Sequence, residues 1–261
     1  MSTLVFLRTV LVTGATGRTG SLVFQKLQTQ PEYFTVRGLG RSLEKQQQKL
    51  GEQSTCFLGD IRKPETLVEP LRGCNVLVIL TSAIPVVVGQ PEPGQRPPLG
   101  FLTGEMPEDV DYHGQVHQIE AAKAAGVEHI ILVGSMGGTD PDHMLNKIGD
   151  GNILLWKRKA EKYLIDSGID YTIIRAGGLL DQPGGKRELL VGKDDRLLIE
   201  PPCGIPTSIP RADVAELVVQ AILEPKARNK AFDVISKPEA DTTATVTTDF
   251  ATLFSQTTPG L

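Results

Sequence analysis

Three glycines stand in register near the start of the chain, in Gly14-Ala15-Thr16-Gly17-Arg18-Thr19-Gly20, directly after the β-branched run Thr9-Val10-Leu11-Val12-Thr13. A strand that empties through such a loop into a helix brings backbone N–H groups and the positive end of the helix dipole to one point, where a phosphate can be held. Each glycine has its own task. Gly14 turns the chain sharply off a buried strand, Gly17 lets the backbone approach a pyrophosphate, and Gly20 lets the helix lie close on the sheet. Gly20, Val23, Phe24 and Leu27 then recur at helical spacing as one apolar face. A glycine-rich turn without a ligand explains one of these glycines, not three, so the loop predicts a dinucleotide site. The glycines fall three apart, with Thr16 just before the second, a departure from the pattern that has a glycine two positions after the first.

The choice of dinucleotide is read at the end of the next strand, Phe34 to Gly40. An Asp or Glu there would accept from the ribose 2′-hydroxyl of NAD. This chain has Gly40-Arg41-Ser42 instead. Arg41 can meet a 2′-phosphate with a charge-assisted contact and Ser42 can add a hydroxyl, while Arg18 on the glycine loop offers a second positive charge. The expected cofactor is NADP(H). Taken singly, Arg41 also reads as a solvated arginine at a strand end and Arg18 as a helix-surface residue.

Positioning such groups takes a sheet with helices on both faces, and the chain alternates accordingly. Strands are expected near Val10–Thr13, Phe34–Gly40, Thr55–Leu58, Val76–Leu80, His129–Val133, Tyr171–Arg175 and Ala231–Ile235. Helices are expected near Thr19–Gln30, Pro64–Leu71, Asp109–Ala125, Ile153–Ser167 and Arg211–Leu223. The fold class is α/β: one doubly wound Rossmann domain over residues 1–261, with a parallel sheet of about seven strands. Ligands on such a sheet lie beyond the strands' carboxyl ends.

Composition narrows the function. With 261 residues, 40% hydrophobic and 22% charged, and a net charge of −4, the chain has no basic field to drive nucleic-acid or anionic-membrane binding. The most apolar run, Val76 to Val88, holds Thr81, Ser82 and Pro85 and is short of the roughly 20 residues of a membrane helix. Cys56, Cys74 and Cys203 lack metal-type spacing and fit a reducing compartment, two of them as buried residues at element ends. With no targeting segment visible, the location expected is cytoplasmic.

Residues 85–108 break the alternation with Pro85, Pro91, Pro93, Pro97, Pro98 and Pro107. Leaving the end of the fourth strand, this stretch reads as a substrate lid, as surface padding or as an oligomer contact. The threonine-rich tail 241–261 reads as a docking element, with a short helix carrying Phe250, Leu253 and Phe254.

A reductase on this scaffold needs groups that polarise and protonate a carbonyl. Ser135, in Val133-Gly134-Ser135-Met136-Gly137-Gly138, falls at a strand's carboxyl end, where it serves either the reaction or a loop cap. The helix Ile153–Ser167 carries Lys157 and Lys159 on opposite flanks of a core stripe made of Ile153, Trp156, Ala160, Tyr163 and Leu164. Periodicity does not choose between the two lysines, and a solvated helix lysine is the alternative for both. Neither residue four positions earlier, Ile153 or Leu155, can donate as a phenol does. Tyr112, Asp109, Asp111 and His113 are weaker candidates to donate the proton. His113, His117 and Glu120 share a helix face but read as surface or interface residues, and no metal is expected.

With these motifs in view, the chain resembles the plant, algal and cyanobacterial atypical short-chain dehydrogenase/reductases of NAD(P)-binding Rossmann type. The resemblance spans nearly its whole length. It rests on the glycine loop, Gly59-Asp60-Ile61, Leu80-Thr81-Ser82-Ala83, Gly134–Gly138, Trp156–Glu161, Tyr171–Leu179 and Pro210–Ala215. It implies that Asp60 and Ile61 line the adenine pocket, with Asp60 accepting from the adenine amino group. Thr81, Ser82 and Ala83 would run along the nicotinamide ribose, and Ala176, Gly177 and Leu179 would lie beside the ring. It also implies that Lys159 is the ribose-binding lysine, which puts Leu155 at the position of the catalytic tyrosine. The function that follows is an oxidoreductase or epimerase acting on a small polar carbonyl or hydroxyl compound without the usual tyrosine. The alternative is a non-catalytic NADP(H)-binding sensor. Substrate and oligomeric state stay open, a homo-oligomer included.

Overall fold

Val10 and Val12 pack into one hydrophobic core and Leu11 into a second on the opposite face of the same strand. Both faces of that strand are therefore dry, which is why it reads as a continuous apolar run rather than an alternating one. The computed structural model describes residues 7–91, 94 and 96–260. Its central sheet has eight strands: β1 (Arg8–Thr13), β2 (Phe34–Gly40), β3 (Cys56–Leu58), β4 (Val76–Ile79), β7 (His129–Ser135), β8 (Asp170–Ala176), β10 (Leu189–Gly192) and β12 (Lys230–Ser236). They lie in the order β10-β12-β8-β7-β4-β1-β2-β3. Chain order reverses between β1 and β4, which pair Val10 with Val76 and Thr13 with Ile79. The crevice for a ligand opens over the carboxyl ends of those two strands.

Helices α1 (Gly20–Gln28) and α7 (Arg211–Leu223) cover one face, where Phe24, Leu27, Val214 and Val218 join Val10 and Val12. Helices α4 (Gly114–Ala124) and α5 (Ile153–Asp166) cover the other, where Ile119 and Leu164 join Leu11, Leu77 and Ile79.

All seven expected strands form. The eighth, β10, lies outside the expected set: it is short, lies at the sheet edge, and pairs antiparallel to β12, with Leu190 opposite Ile235. Helix α2 (Leu43–Leu50) was also missed, because its middle, Glu44 to Lys49, is wholly polar. The expected helix Asp109–Ala125 is divided: Glu108–His113 forms a π-helical turn before α4 begins. Of the cysteines only Cys74 is buried; Cys56 is half-buried, Cys203 is exposed, and all three are free.

The proline-rich stretch contains a small antiparallel hairpin, β5 (Val86–Val87) with β6 (Leu99–Gly100). Pro93, counted in that stretch, lies outside the described residues. The hairpin's far end is docked: a Cβ on Gly149 would stand 2.7 Å from Gly100 Cα, and one on Gly151 would stand 2.5 Å from the Phe101 ring. A second small sheet pairs β9 (Gly178–Leu180) with β11 (Ser208–Pro210). Among the described residues no helix is long and apolar enough to cross a membrane. In the tail, α8 (Phe250–Ser255) buries Leu253 and Phe254 against the body of the protein.

Candidate cofactor and active site

Gly14 has φ of +69°, and a Cβ there would meet Leu80 O at 2.8 Å, so only glycine lets the loop cross so close to the end of β4. A Cβ on Gly20 would stand 2.1 Å from Gly14 O, which ties the first turn of α1 onto the loop itself. Thr19 caps α1 with no side-chain hydrogen bond. The first-turn N–H groups are therefore not capped by their own cap residue, and the dipole end is available to an anion. These features fit a dinucleotide pyrophosphate.

A cleft of about 820 Å³ begins at this loop, with Gly14, Thr16 and Gly17 at its edge. One end is cationic: Arg41, Lys45 and Lys49 line it with Ser42 and Arg62. Ser42 caps α2, accepting from Lys45 N at 3.3 Å. Lys45 and Lys49 stand one turn apart on α2, and sequence reasoning missed them because it missed the helix. Arg41 pairs with Glu105, which comes from the segment after β6. Asp60 and Ile61 form part of the wall. Arg62 donates to Asp60 through Nε at 2.9 Å and Nη2 at 2.5 Å, and these bonds hold the carboxyl below the usual carboxylate range. Arg18 points elsewhere: it is exposed and pairs with Asp181, which Arg211 also holds at 2.9 Å.

At the opposite end Thr81, Ser82 and Ala83 line the cleft as β4 leaves the sheet. Gln118, fully buried on α4, braces this segment. It accepts from the Thr13 hydroxyl at 2.6 Å and donates to Thr81 Oγ1 at 3.2 Å. Ser82 meets the lysine of α5, and that lysine is Lys157. Its Nζ donates to Ser82 Oγ at 3.0 Å and to Asp111 Oδ1 at 2.6 Å. The other Asp111 oxygen accepts from Ala83 N at 2.9 Å, and the side chain is wholly out of solvent on the π-helical turn.

The structure therefore corrects the assignment of Lys159. That residue is exposed, with its Nζ 4.2 Å from the Tyr112 ring centre and 4.8 Å from that of Trp156. The reason lies in the rotation of α5. Its buried face is Ile153, Leu154, Lys157, Ala160, Glu161 and Leu164, and the expected stripe residues Trp156 and Tyr163 sit at its margin, half-exposed. Two of the six inward residues are charged, and apolar periodicity cannot see them. With Lys157 inside, the residue one turn earlier is Ile153, also buried, so no phenol stands at that position either way.

Ser135 ends β7 in register with Ala176 on β8. Its hydroxyl donates to Met136 O at 3.0 Å. The loop that follows is held from below. Asp195 accepts from Gly137 N at 2.7 Å, from Thr139 N at 2.8 Å and from the Thr139 hydroxyl at 2.7 Å. Burial opposes its charge, yet these donors hold Asp195 below the usual range. Gly177 has no room for a side chain, since a Cβ would stand 2.6 Å from Thr207 O. Leu179 is exposed, in register with Ile209. Ser135, Ala176, Gly177 and Leu179 thus stand on the neighbouring strand ends, beyond the walls of the cleft itself. Ala15 is buried in the core and stands outside the walls of the cleft.

The remaining candidates are dispersed. Tyr112 stacks on Trp156, with ring centres 5.6 Å apart, and His113 lies 3.9 Å from Glu108. His117 Nδ1 lies 3.0 Å from Ile61 O.

Comparison with known proteins agrees with this geometry. A protein-family model described as NAD(P)H-binding matches residues 14–225. An uncharacterised chloroplastic protein of Arabidopsis thaliana is 54% identical over 96% of this chain and 75% of its own length. Sanguinarine reductase of Eschscholzia californica is 51% identical over 96% of both chains. Among solved structures, the anaerobillin reductase ChuY of Escherichia coli O157:H7 superposes with a TM-score of 0.64 at 22% identity, covering 89% of this chain and 98% of that one. The last likeness speaks for the fold. The chloroplastic relative overturns the expected cytoplasmic location.

Proposed function

The chain belongs to the NAD(P)H-binding family, and from that premise we propose that it is a plastid NADP(H)-dependent oxidoreductase acting on a small, already electrophilic acceptor. The observation that supports the reading most is the Lys157–Asp111–Ser82 cluster, whose Ser82 lines the end of the cleft opposite the cationic one.

In this reading the backbone of Gly14 to Gly17 and the first turn of α1 hold the pyrophosphate. Arg41, Ser42 and Lys45 hold the 2′-phosphate, for which charge and hydroxyl donors are the complementary chemistry. Ile61 and Asp60 border the adenine. Lys157 and Ser82 hold the hydroxyls of the nicotinamide ribose, and Thr81 and Ala83 run beside them. The bound cofactor supplies a hydride. Ser135 meets the acceptor, and Asp195 holds the loop that follows it.

Ile153 in place of a phenol constrains the substrate. A neutral carbonyl that takes up a hydride needs a proton on its oxygen, and a phenol over a lysine is the usual source. An acceptor whose carbon already carries positive charge, as in an iminium ion, becomes neutral on taking up the hydride and has no such requirement. The 51% identity to sanguinarine reductase over 96% of both chains makes sanguinarine the compound to try first.

The test is direct. With sanguinarine present, the protein should consume NADPH, and Lys157→Ala should lower kcat/KM by about tenfold or more. Lys159→Ala should stay within about twofold of the wild type, as expected for an exposed side chain that lies over the Tyr112 and Trp156 rings. If tritium from the transferable position of NADPH stays in the cofactor, both with sanguinarine and with a plastid metabolite extract, the oxidoreductase reading fails.

A further inference from the structure

Glu105 is an acidic side chain at the cationic end of the cleft, and it is brought there by the segment after β6 rather than by the sheet. A turn closed by Glu105 N to Leu102 O at 2.9 Å aims it. Its carboxylate pairs with the Arg41 guanidinium and lies 3.7 Å from Arg62 Nη1. The same Arg62 nitrogen donates to Gly104 O at 2.5 Å, so the segment is fastened to this end of the cleft at two adjacent residues. Phe101, four residues before Glu105, is packed over Gly151.

A carboxylate on a guanidinium uses the donor edge that a phosphate monoester would use. Two anions cannot share that edge at contact distance without strong repulsion. We propose that Glu105 is a specificity-determining residue of the cofactor site: its carboxylate holds Arg41 in place of a 2′-phosphate, so that NADP(H) binds by displacing it while NAD(H) leaves the pair intact. The inference rests on the reading of Arg41 as the 2′-phosphate contact. It goes beyond that reading in assigning the chain an internal competitor, which lowers its preference for the phosphorylated cofactor below what Arg41, Lys45 and Lys49 alone would give. Arg41 is 56% exposed and Glu105 32%, so water screens the pair and displacement is cheap enough to happen at ordinary cofactor concentrations.

The experiment measures binding and needs no substrate. Affinities for 2′,5′-ADP, 5′-AMP, NADPH and NADH are compared in the wild type, Glu105→Gln, Arg41→Ala and the double variant. Glu105→Gln should tighten 2′,5′-ADP and NADPH by roughly three- to tenfold and leave 5′-AMP and NADH unchanged. In the Arg41→Ala background the gain should vanish, because the competitor then has nothing to compete for. No gain in Glu105→Gln, with Arg41→Ala still weakening 2′,5′-ADP, would overturn the role of Glu105 and leave Arg41 standing. Weaker NADH binding in Glu105→Gln would also overturn it, since Glu105 would then be accepting from the ribose hydroxyl. If Arg41→Ala leaves the preference for 2′,5′-ADP over 5′-AMP untouched, the reading of Arg41 falls and takes this inference with it.

Discussion

Lys157 donates to Asp111 across 2.6 Å, joining α5 to a π-helical turn that sits over the end of β4, with Asp111 fully buried and the lysine side chain only 10% exposed. A π-helical turn is a costly interruption that recurs at functional sites. Here it sets Asp111 where one carboxylate reaches both the Lys157 ammonium and the Ala83 N–H. The aspartate fixes the lysine and the β4 exit segment as one unit.

Asp111→Asn keeps the shape and removes the charge, which leaves a buried ammonium without its anion. NADPH affinity should fall by about tenfold, the size of effect expected for a lost charge-assisted bond. Binding of 2′,5′-ADP, which has no nicotinamide half, should stay within about twofold. Titrating both ligands separates a positioning role from general unfolding, which would weaken the two together. Asp111→Glu should recover part of the NADPH affinity.

Much of this was legible in the residues, and the exceptions share one cause. The glycine loop, β1, β2, β4 and α7 announce themselves because backbone geometry and apolar periodicity set them. Lys157, Glu161, Asp111 and Gln118 were not legible as interior residues, because a buried charged or amide group looks in sequence like a surface one. Lys157 and Lys159 flank the expected stripe equally, and only the partners Asp111 and Ser82 decide between them. Helix α2, with six consecutive polar residues from Glu44 to Lys49, leaves its mark chiefly in the single inward residue pair Gln46 and Leu50. The pairing of Arg41 with Glu105 joins two stretches far apart in the chain, and nothing local in either predicts it.

A second buried cluster yields a stability prediction. Arg175, 1% exposed, donates through Nε to Glu161 Oε2 at 2.9 Å and has Nη1 3.7 Å from Asp233 Oδ1. Burial pushes the Asp233 carboxyl up, and Arg175 works against that rise. Arg175→Met would leave the buried Asp233 carboxylate without that cation and Glu161 with Arg158 alone, and should cost about 3–5 kcal/mol at neutral pH. In the variant, folding should favour a protonated Asp233 carboxyl. A folded-state pKa above the unfolded value contributes stability at low pH and loses it as pH rises. The deficit relative to wild type should therefore shrink between neutral and mildly acidic pH in urea melts; a deficit independent of pH would contradict this account.

His129 gives the opposite sign. It is fully buried on β7, and its Nε2 lies 2.9 Å from Thr172 Oγ1. The Thr172 hydroxyl spends its own proton on Ala227 O at 2.8 Å, so Nε2–H is the donor. Among the described residues Nδ1 has no partner, and protonating it would bury an unpaired cation. Burial first, and the Arg228 guanidinium next, push the imidazole down to about 3, against the smaller opposing effect of Asp170. Because the folded value lies below the unfolded one, near 6.5, the neutral ring contributes fully above that pH. Its contribution drains as pH falls from about 6.5 towards about 3, with a limiting slope of about 1.4 kcal/mol per pH unit. Wild-type urea melts across that window should show this loss, and His129→Gln, which does not titrate, should lack one proton's worth of it. Equal slopes for the two proteins would mean that His129 takes up its proton without unfolding the strand.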